Sequence, residues 1–352
     1  MFLRPNETIS SYTVRALTDH DHRRWDAFVQ ECPEASFFHR AGWRTVVERS
    51  FGHRTHYMFA ERDGAIKGVL PLVEIKSAVF GHSLISNGFC VTGGSIALED
   101  GARAALDARA EELLRETGAR YLEYRNPVKP KENWSTRVGL YAGFSGPLPQ
   151  AEDINLKQIP RKQRAVVRKA IESNLTWEIE RSIDRLWDLY AVSVRNLGTP
   201  VFGKAYFANL VNVFGNDCDV LTVSSEGRPV ASVLNFYFKD RVMPFYTGSV
   251  PGARRLGAND LMYWRLMRHA SARGCTVFDF GRSKVGTGPY DFKKNWGFVP
   301  QPIVHQFLLP NGGAMPENNP LNPKYRMMIA AWKRLPLFVA NRLGPLVVRN
   351  IG

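Results

Sequence analysis

The chain has 352 residues and is 44% hydrophobic, which is enough for two ordinary domains with buried cores. Its formal charge of +14 favours anionic partners such as phosphates, nucleic acid or acidic lipid. The 4 cysteines are widely spaced and form no CxxC pair, so the sequence indicates neither a zinc cluster nor a dense disulfide framework.

Targeting signals are not apparent in the sequence. Residues 1–25 carry several charges and no apolar core, which argues against a secretory signal. An uninterrupted apolar run of about 18 residues, the length that a membrane-spanning helix needs, is also missing. Together with the cysteine usage, these features favour a cytoplasmic location.

Two stretches recur in the same order at an offset of about 160 residues, which indicates an internal duplication. Residues 59–72 and 221–236 each form two apolar runs around an acidic-Gly turn and are predicted to be β-hairpins. Residues 107–125 and 261–282 each show a helical pattern, a glycine stop and an alternating strand. The repeat predicts an α/β fold of two tandem domains, each a mixed, largely antiparallel sheet flanked by helices.

Turn-rich composition at residues 145–153 predicts a domain boundary near residue 150. The first domain is then expected to span residues 1–150 and the second residues 151–312. A third segment, residues 313–352, starts with a stretch rich in the turn-forming residues Pro, Gly and Asn and ends in a helical pattern. It belongs to neither repeat.

The stretch with the most chemical content is 278–298, which is predicted to leave a strand through Gly281, cross a glycine-rich loop and enter an apolar segment. Cations beside accessible backbone suit phosphate binding or stabilisation of an oxyanion. A flexible basic loop without a catalytic role is the alternative. The loop glycines and nearby cations are Gly286, Gly288, Arg282, Lys284, Lys293 and Lys294.

A second basic loop, within residues 248–264, leads into a helix that is expected to start near Asn259 or Asp260. Main-chain N–H groups at that helix start, aided by Arg254 and Arg255, favour a pyrophosphate or a nucleotide phosphate. An ordinary Asn or Asp helix cap accounts for the pattern equally well.

A basic stripe is predicted on the helix at residues 159–174, where Arg161, Arg164 and Arg168 recur on one face. The stripe suits tRNA, a nucleotide-linked sugar or another polyanion, and a solvated helix face is the equal alternative. The helix lacks interleaved aromatic residues, which argues against a single-stranded nucleic-acid platform, and we expect no DNA partner.

The histidines give no metal or hydrolase signature. HExxH spacing and a GxSxG elbow are both missing, so the sequence predicts no metal site. His39 is interpreted as a packed or surface histidine in preference to a proton acceptor.

The chain resembles FemAB-like transferases over nearly its whole length, and most closely the branch associated with exosortase and PEP-CTERM systems. The resemblance implies two tandem GNAT-like domains that transfer an activated amino acid or acyl group to an amine. The motifs that carry it are SFFHRAGW, SFGH, FGHSLISNGF, RKQRAVVRKA, SVRNLGTPVF and NDLMYWRLMRHA leading into FDFGRSKVGTGPYDFKKNWGF.

In these relatives a Phe-Lys pair follows the glycine-rich loop, and its lysine stabilises the oxyanion of the tetrahedral intermediate. Phe292 and Lys293 match that pair, so the resemblance implies that they are the catalytic residues. Asp279 and Asp291 are candidate proton acceptors, although a structural role suits them better. The substrate-positioning candidates around the pair are Arg282, Ser283, Lys284, Gly286, Gly288 and Tyr290.

Two classes of acyl donor remain alternatives: aminoacyl-tRNA, as in the peptidoglycan-bridge relatives, and acyl-CoA or an acyl carrier. We expect no tightly bound cofactor. GNAT enzymes place a coenzyme A loop, R/Q-x-x-G-x-G/A, where this chain has R-R-L-G-A-N, with Gly257 matching and Asn259 departing. By analogy with the relatives, the acceptor is expected to be anionic or nucleotide-linked and held by Arg161, Arg164 and Arg168.

A different class of function is a non-catalytic membrane-surface or assembly protein of an exopolysaccharide or PEP-CTERM system. Residues 324–352 alternate basic and apolar residues, as a basic amphipathic anchor at the inner face of the membrane does. Packing of residues 313–352 on the first domain, as in the relatives, is the favoured alternative.

Overall fold

The computed structural model describes residues 12–78, 80–316 and 323–351. Residues 1–11, the start of the predicted first domain and of the stretch that argues against a leader, lie outside this description. So do residues 317–322 of the predicted third segment. The chain divides into two compact units, the first comprising Met1–Glu48, His53–Ser135 and His305–Gly313, the second Arg49–Gly52, Thr136–Val304 and Ala314–Gly352.

The elements of the first half are β1 (Thr13–Ala16), α1 (His22–Glu31), α2 (Gly42–Phe51), β2 (Arg54–Arg62), β3 (Ala65–Ser77), β4 (Gly81–Ser86), β5 (Ile96–Ala97), α3 (Asp100–Thr117), β6 (Leu122–Arg125) and β7 (Ser135–Arg137). Those of the second half are β8 (Tyr141–Pro147), α4 (Glu152–Gln158), α5 (Arg161–Ile171), β9 (Leu175–Glu180), α6 (Asp184–Leu197), α7 (Lys204–Phe214), β10 (Cys218–Ser225), β11 (Arg228–Phe238), β12 (Arg241–Ser249), α8 (Ala258–Ala272), β13 (Val277–Lys284), α9 (Gly288–Asn295) and β14 (Pro300–Pro302). They are followed by β15 (His305–Leu308), α10 (Pro323–Arg334) and α11 (Leu337–Val348).

Each half contributes one mixed sheet, which confirms the predicted fold class. The first sheet has the order β1-β2-β3-β4-β6-β15-β7 with β5 beside β3, and the second has the order β14-β8-β13-β12-β11-β10-β9. Each sheet contains a parallel pair, β4 with β6 in the first and β12 with β13 in the second. The hairpins β2–β3 and β10–β11 and the pairs β3–β4 and β11–β12 that follow them are antiparallel. The predicted duplication is therefore present in the strand topology as well as in the sequence.

The two predicted hairpins are β2–β3 and β10–β11. Their two-residue turns have positive φ at both positions, 52° and 75° at Asp63 and Gly64, and 50° and 75° at Glu226 and Gly227. This is the turn geometry that matches the right-handed twist of paired strands, and Gly adopts it without steric cost. An acidic-Gly pair between two apolar runs was therefore a sufficient signal for both hairpins.

The units do not divide near residue 150, where the sequence predicted the boundary. Strand β8, at residues 141–147, pairs with β13 and β14 in the second sheet, and β15, near residue 305, pairs with β6 in the first. Each sheet thus includes a strand from beyond the sequence range predicted for its domain. Local turn composition signals a linker but carries no information about such long-range pairing, which explains the difference.

The core of the second unit lies where α5 and α8 cover the sheet. It includes Trp264 and Leu261 of α8, Val167 of α5, Val233 of β11 and Phe278 of β13. Burial of a large apolar side chain of this kind contributes roughly 1.5–3 kcal/mol, so this packing fixes the loops that join these elements. The candidate site residues lie in the loop before α8, at the end of β13, and in α9 with the turn that leads to it.

Helices α10 and α11 pack on α6, within the second unit. Two close approaches account for this packing. Gly344 in α11 lies so near Val201 that a Cβ atom there would be 2.6 Å from the valine side chain, and Ile329 in α10 lies equally close to Gly198. The expected packing on residues 1–150 is present at one contact, where Arg349 donates to the Phe51 carbonyl of α2. Among the described helices, none has both the length and the apolar composition to cross a bilayer.

Candidate active site

Strand β13 separates from its neighbour at the point where the glycine-rich stretch begins. It pairs with β12 only through Val277 and Phe278, while on its other side it pairs with β8 as far as Lys284. A β-bulge interrupts this second pairing between Asp279 and Gly281, and Gly281 has a φ of 66°. The strand therefore continues beyond Gly281, where the sequence placed its end, because a bulge at glycine bends it without ending it.

Asp279 stabilises this bulge. One of its carboxylate oxygens accepts a hydrogen bond from the Gly281 N–H at 2.8 Å, and the other accepts one from Arg241 at 3.2 Å. Arg241 also donates to the Ser145 hydroxyl of β8 at 2.8 Å. Both oxygens are thus engaged with groups of the sheet, which favours the structural role of Asp279 over proton acceptance.

The segment after the bulge forms a tight turn and the short helix α9, where the sequence had indicated only an apolar segment. Gly286 has a φ of 75°, and Thr287 closes the turn by donating from its hydroxyl to the Lys284 carbonyl at 2.7 Å. Pro289 lies in the first helical turn, where its missing N–H would have no intrahelical partner anyway. A Cβ atom at Gly286 or Gly288 would meet nothing within 4 Å, so the turn is open on that side.

Lys293 extends from α9 to the bulge and is only 9% exposed. Its ammonium donates to three successive main-chain carbonyl groups, those of Phe280 at 2.6 Å, Gly281 at 3.3 Å and Arg282 at 3.0 Å. An ammonium has three N–H donors, and three carbonyl acceptors match that number. Lys293 therefore ties α9 to the end of β13, and the Gly281 bond is the longest of the three.

The environment of Lys293 lowers its pKa. Burial is the main cause, the nearby Asp279 carboxylate opposes it, Arg282 adds to it, and the pKa of Lys293 falls to about 8. Two aromatic rings contribute to the apolar surroundings: the ammonium lies 5.5 Å from the ring centre of Phe144 and 5.9 Å from that of Phe280. A buried lysine with a pKa near neutrality is a common feature of catalytic sites.

Phe292, beside this lysine in sequence, belongs to an aromatic cluster. Its ring centre lies 5.5 Å from that of Tyr263 on α8, and Tyr263 in turn lies 4.9 Å from Phe280. The Tyr263 hydroxyl hydrogen-bonds with Thr247 of β12 at 3.2 Å. This cluster therefore connects α9, α8 and both of the diverging strands. Sequence reasoning missed Tyr263 and Thr247, because local sequence does not show that Tyr263 of α8 contacts both Phe292 and Thr247.

The other residues predicted around the Phe-Lys pair line the same turn. The Arg282 guanidinium lies 4.8 Å from the ring centre of Tyr141, and Ser283 is buried. Tyr290 packs edge-on against Phe144 at 5.3 Å, and Lys294 lies over the Tyr290 ring at 5.7 Å. Asp291, by contrast, is exposed in the first turn of α9.

The basic loop before α8 has a different helix start from the one predicted. The helix begins at Ala258, and its N-cap residue is Gly257 with a φ of 69° and no side-chain cap, so the Asn or Asp cap interpretation is wrong. Glycine adopts this left-handed conformation without strain, which explains why it occupies the cap position. Arg254 and Arg255 are both exposed in the loop that leads to it.

The basic stripe lies on helix α5, as predicted, and another face of this helix packs against the start of α8. Gln163 donates to the buried Asp260 of α8, and a Cβ atom at Gly257 would lie 3.0 Å from Ala170 of α5. Burial raises the pKa of Asp260, although the Gln163 bond opposes the shift. These contacts place the end of α5 against the loop that carries Arg254 and Arg255, although the two stretches are far apart in sequence.

The stripe itself borders a surface depression of about 520 Å³ whose lining includes Arg161, Arg164, Arg168 and Lys169. Arg161 and Arg168 are exposed, and Arg164 is half-buried. None of the three arginines forms an ion pair with a carboxylate in the part of the chain described. Their charges are therefore directed at solvent or at an anionic ligand.

Candidate sites of other kinds are weaker. Across residues 12–78, 80–316 and 323–351, no cluster of three His, Cys, Asp or Glu side chains is arranged to hold a metal ion. His39 is buried and lies within hydrogen-bonding distance of the Ser36 hydroxyl at 3.0 Å, as expected of a packed histidine.

Comparison with known proteins identifies the same part of the chain. The sequence profile of the acetyltransferase (GNAT) domain matches residues 156–294, which include α5, the loop before α8 and Lys293. A search of curated proteins finds no significant match.

Solved structures resemble the chain over most of its length. The crystal structure of FemX has a TM-score of 0.63 at 15% identity, covering 83% of this chain and 96% of that one. The C-terminal domain of a putative lysylphosphatidylglycerol synthetase from Agrobacterium fabrum has a TM-score of 0.56 at 15% identity, covering 83% and 92%. A tandem GNAT protein from the clavulanic acid biosynthesis pathway has a TM-score of 0.52 at 12% identity, covering 85% and 98%. At such identities the likeness concerns the fold, which is that of two tandem GNAT-like domains.

Proposed function

We propose that the chain is an acyltransferase that moves an aminoacyl or acyl group from an activated donor to an amine, with its reaction centre at Lys293. The observation that carries this proposal is a buried lysine, with a pKa of about 8, at the bulge where β13 separates from β12. The match of an acetyltransferase (GNAT) domain to the residues that build this site supports the reaction class.

In the proposed reaction a neutral amine attacks the carbonyl carbon of the donor. A C–N bond forms, the carbonyl oxygen becomes negatively charged, and collapse of this intermediate expels a thiolate or a tRNA ribose oxygen. The proton lost by the attacking nitrogen passes to the leaving group through solvent. Positive charge beside the carbonyl oxygen lowers the barrier, and loss of one such donor typically costs about 100- to 1000-fold in rate.

We assign the positive charge that stabilises the oxyanion to the ammonium of Lys293. Its three donors all hold main-chain carbonyls, so an oxyanion must replace one of them. The Gly281 carbonyl, at 3.3 Å, is the acceptor that we expect to be exchanged, because the shorter bonds to Phe280 and Arg282 would still hold the ammonium in place. Phe292 and Tyr263 then position the lysine through the aromatic cluster.

We further propose that the donor is an aminoacyl-tRNA and that the acceptor is a cell-envelope precursor. Helix α5 carries the basic stripe, and another face of the same helix packs against the start of α8, which follows Arg254 and Arg255. This part of the chain therefore offers two groups of cationic side chains, of the kind that bind a polyanion. The name of one similar protein, a lysylphosphatidylglycerol synthetase, refers to an aminoacylated product. The resemblance to the FemAB branch of exosortase and PEP-CTERM systems favours the envelope acceptor.

The second candidate donor is an acyl-CoA. Gly257 caps α8 in a left-handed conformation below two exposed arginines, and this geometry suits a pyrophosphate. Two features count against it: Asn259 departs from the coenzyme A loop pattern, and Asp260 places a carboxyl group in the first turn of the same helix.

The experiment that tests the function is a transfer assay with two labelled donors, charged tRNA and acyl-CoA, added separately to the full chain and an extract of bacterial envelope precursors. We expect label to reach an amine product from charged tRNA, and an Arg254→Ala, Arg255→Ala variant to reduce transfer from the donor that is used. Preferential transfer from acyl-CoA would identify acyl-CoA, and not aminoacyl-tRNA, as the donor. Absence of transfer from both would contradict the proposed function.

A further inference from the structure

The C-terminal helices α10 and α11 have an unusual composition for a surface segment. Residues 323–352 contain 6 Lys or Arg residues and no Asp or Glu. The proposed transfer reaction uses none of them. The proposed reaction therefore does not explain why this surface segment is both cationic and apolar.

Helix α11 has two apolar faces, and only one of them is covered. Its buried face consists of Ala340, Gly344 and Val348, which recur every four residues. On the opposite side Phe338 is 76% exposed and Leu346 is 60% exposed, with the exposed Arg342 one turn from each. A helix that faces water on its outer side normally carries polar residues there, so this outer face needs an explanation.

Helix α10 presents a similar outer surface. Ile329 lies against the end of α6, and the Lys333 carbonyl accepts a hydrogen bond from Arg195 of α6 at 3.4 Å. On the other side Met327 is 73% exposed, and Arg334 is exposed one turn before α11 begins. Because α10 and α11 both pack on α6, their uncovered faces are both directed away from it.

We propose that these uncovered faces form a peripheral binding surface for an anionic lipid bilayer. Phe338, Leu346 and Met327 would enter the boundary between headgroups and acyl chains, and Arg334 and Arg342 would pair with lipid phosphates. This arrangement is that of an interfacial helix, which lies in the plane of the membrane and does not cross it. The proposal stands independently of the transfer reaction.

Charge complementarity favours a lipid surface over a protein partner. The cationic side chains Arg334 and Arg342 are interleaved with exposed apolar ones, and the segment offers no carboxylate to pair with a partner's cations. A bilayer containing anionic lipid satisfies the apolar groups and the charges at the same time. A soluble protein would need an apolar, acidic groove to do so.

The test is cosedimentation of the full chain with vesicles of phosphatidylglycerol and phosphatidylcholine, and separately with vesicles of phosphatidylcholine alone. We expect binding to the anionic vesicles and a loss of binding as salt screens the charges. Phe338→Ser combined with Leu346→Ser should weaken binding by at least about tenfold, because both side chains lose their apolar contact with lipid. Arg334→Gln combined with Arg342→Gln should weaken it by about fivefold per residue.

Matched controls separate this surface from general charge and hydrophobicity. Arg23→Gln combined with Arg228→Gln removes two exposed cations from other elements, and Val299→Ser removes an apolar side chain that is 71% exposed. Both controls should bind within about twofold of the wild type. Circular dichroism should show unchanged folding in every variant, because all the altered side chains are exposed.

Two results would overturn the proposal. One is failure of the wild-type chain to sediment with anionic vesicles at low salt, including the case in which the same surface instead joins two copies of the chain. The other is equal binding by the folded Phe338→Ser, Leu346→Ser variant and the wild type.

Discussion

The Lys293 ammonium lies 2.6 Å from the carbonyl oxygen of Phe280, and this hydrogen bond joins helix α9 to strand β13. The bond has two consequences. It holds the glycine turn between the two elements, and it places a positive charge at the bulge where β13 leaves β12. Lys293 therefore holds the local structure of the site, and we propose that it also stabilises charge in the reaction.

The pH dependence of transfer should show the protonation of Lys293. Its pKa is lowered to about 8, and the ammonium is the form that stabilises an oxyanion. We therefore expect kcat to fall as pH rises through about 8, and this basic limb should be missing from the residual activity of Lys293→Met. Lys294→Met is the matched control, since Lys294 is adjacent and exposed. A basic limb that persists in Lys293→Met would assign it to another group.

Asp279→Asn should reduce stability more than it reduces the chemical step. The carboxylate accepts hydrogen bonds from the Gly281 N–H and from Arg241, and loss of its charge weakens both. We expect the free energy of unfolding to fall by about 1–3 kcal/mol. Urea denaturation measures this change, and kcat at a temperature where the variant is fully folded should decrease less than tenfold. A fully stable variant with kcat reduced about 100-fold or more would instead identify Asp279 as a proton acceptor.

Arg164→Glu combined with Arg168→Glu should weaken binding of the anionic substrate. These side chains line the depression on α5 and form no ion pair with a carboxylate of the described chain. We expect KM to rise at least about tenfold with little change in kcat, and the salt dependence of KM to become shallower. Steady-state kinetics at several salt concentrations measures both effects. Arg23→Glu combined with Arg228→Glu changes the net charge equally and is the control. A similar rise in KM for this control would show that the effect comes from net charge and not from a binding site on α5.

Glu123→Gln should destabilise the first unit in a pH-dependent way. Burial raises the pKa of Glu123, but Arg125 and His305 outweigh it and hold the pKa at about 2. A lowered carboxyl pKa stabilises the fold above the unfolded value near 4.5, and this contribution is lost as pH falls toward 2. At pH 7 the substitution leaves the Arg125 charge buried without its carboxylate, which should cost about 3–5 kcal/mol.

Urea denaturation at pH 7 and at pH 3 measures this prediction. The difference between Glu123→Gln and the wild type should be smaller at pH 3, where the wild type has already lost part of its contribution. Glu112→Gln is the control, because Glu112 is 53% exposed and its pair with Arg109 should contribute little. An equal difference at both pH values would show that Glu123 acts through packing and not through its charge.

Local patterns in the sequence were enough to predict the repeated elements. The Asp63-Gly64 and Glu226-Gly227 pairs identified two hairpins, because their turn geometry depends on two residues alone. The spacing of Arg161, Arg164 and Arg168 likewise predicted helix α5 and its basic face. These features depend on neighbours along the chain, which a sequence shows directly.

Features that depend on distant contacts were not predictable in the same way. Strand β8 lies in the second sheet and β15 in the first, on the other side of the predicted boundary in each case, because both are placed by long-range strand pairing. The proximity of Tyr263 to Phe292 is a contact between α8 and α9, and the three carbonyl partners of Lys293 follow from the bulge at Gly281. Local composition specifies none of these contacts, so the sequence could nominate residue types for the candidate site but could not predict its geometry.

The most direct test of the account is the initial rate of transfer from charged tRNA to an amine acceptor by wild type, Lys293→Met and Lys294→Met, each confirmed to be folded. We predict that Lys293→Met loses about 100-fold or more in rate while Lys294→Met stays within about threefold of the wild type. A folded Lys293→Met protein with the wild-type rate would contradict the assignment of the reaction centre to Lys293.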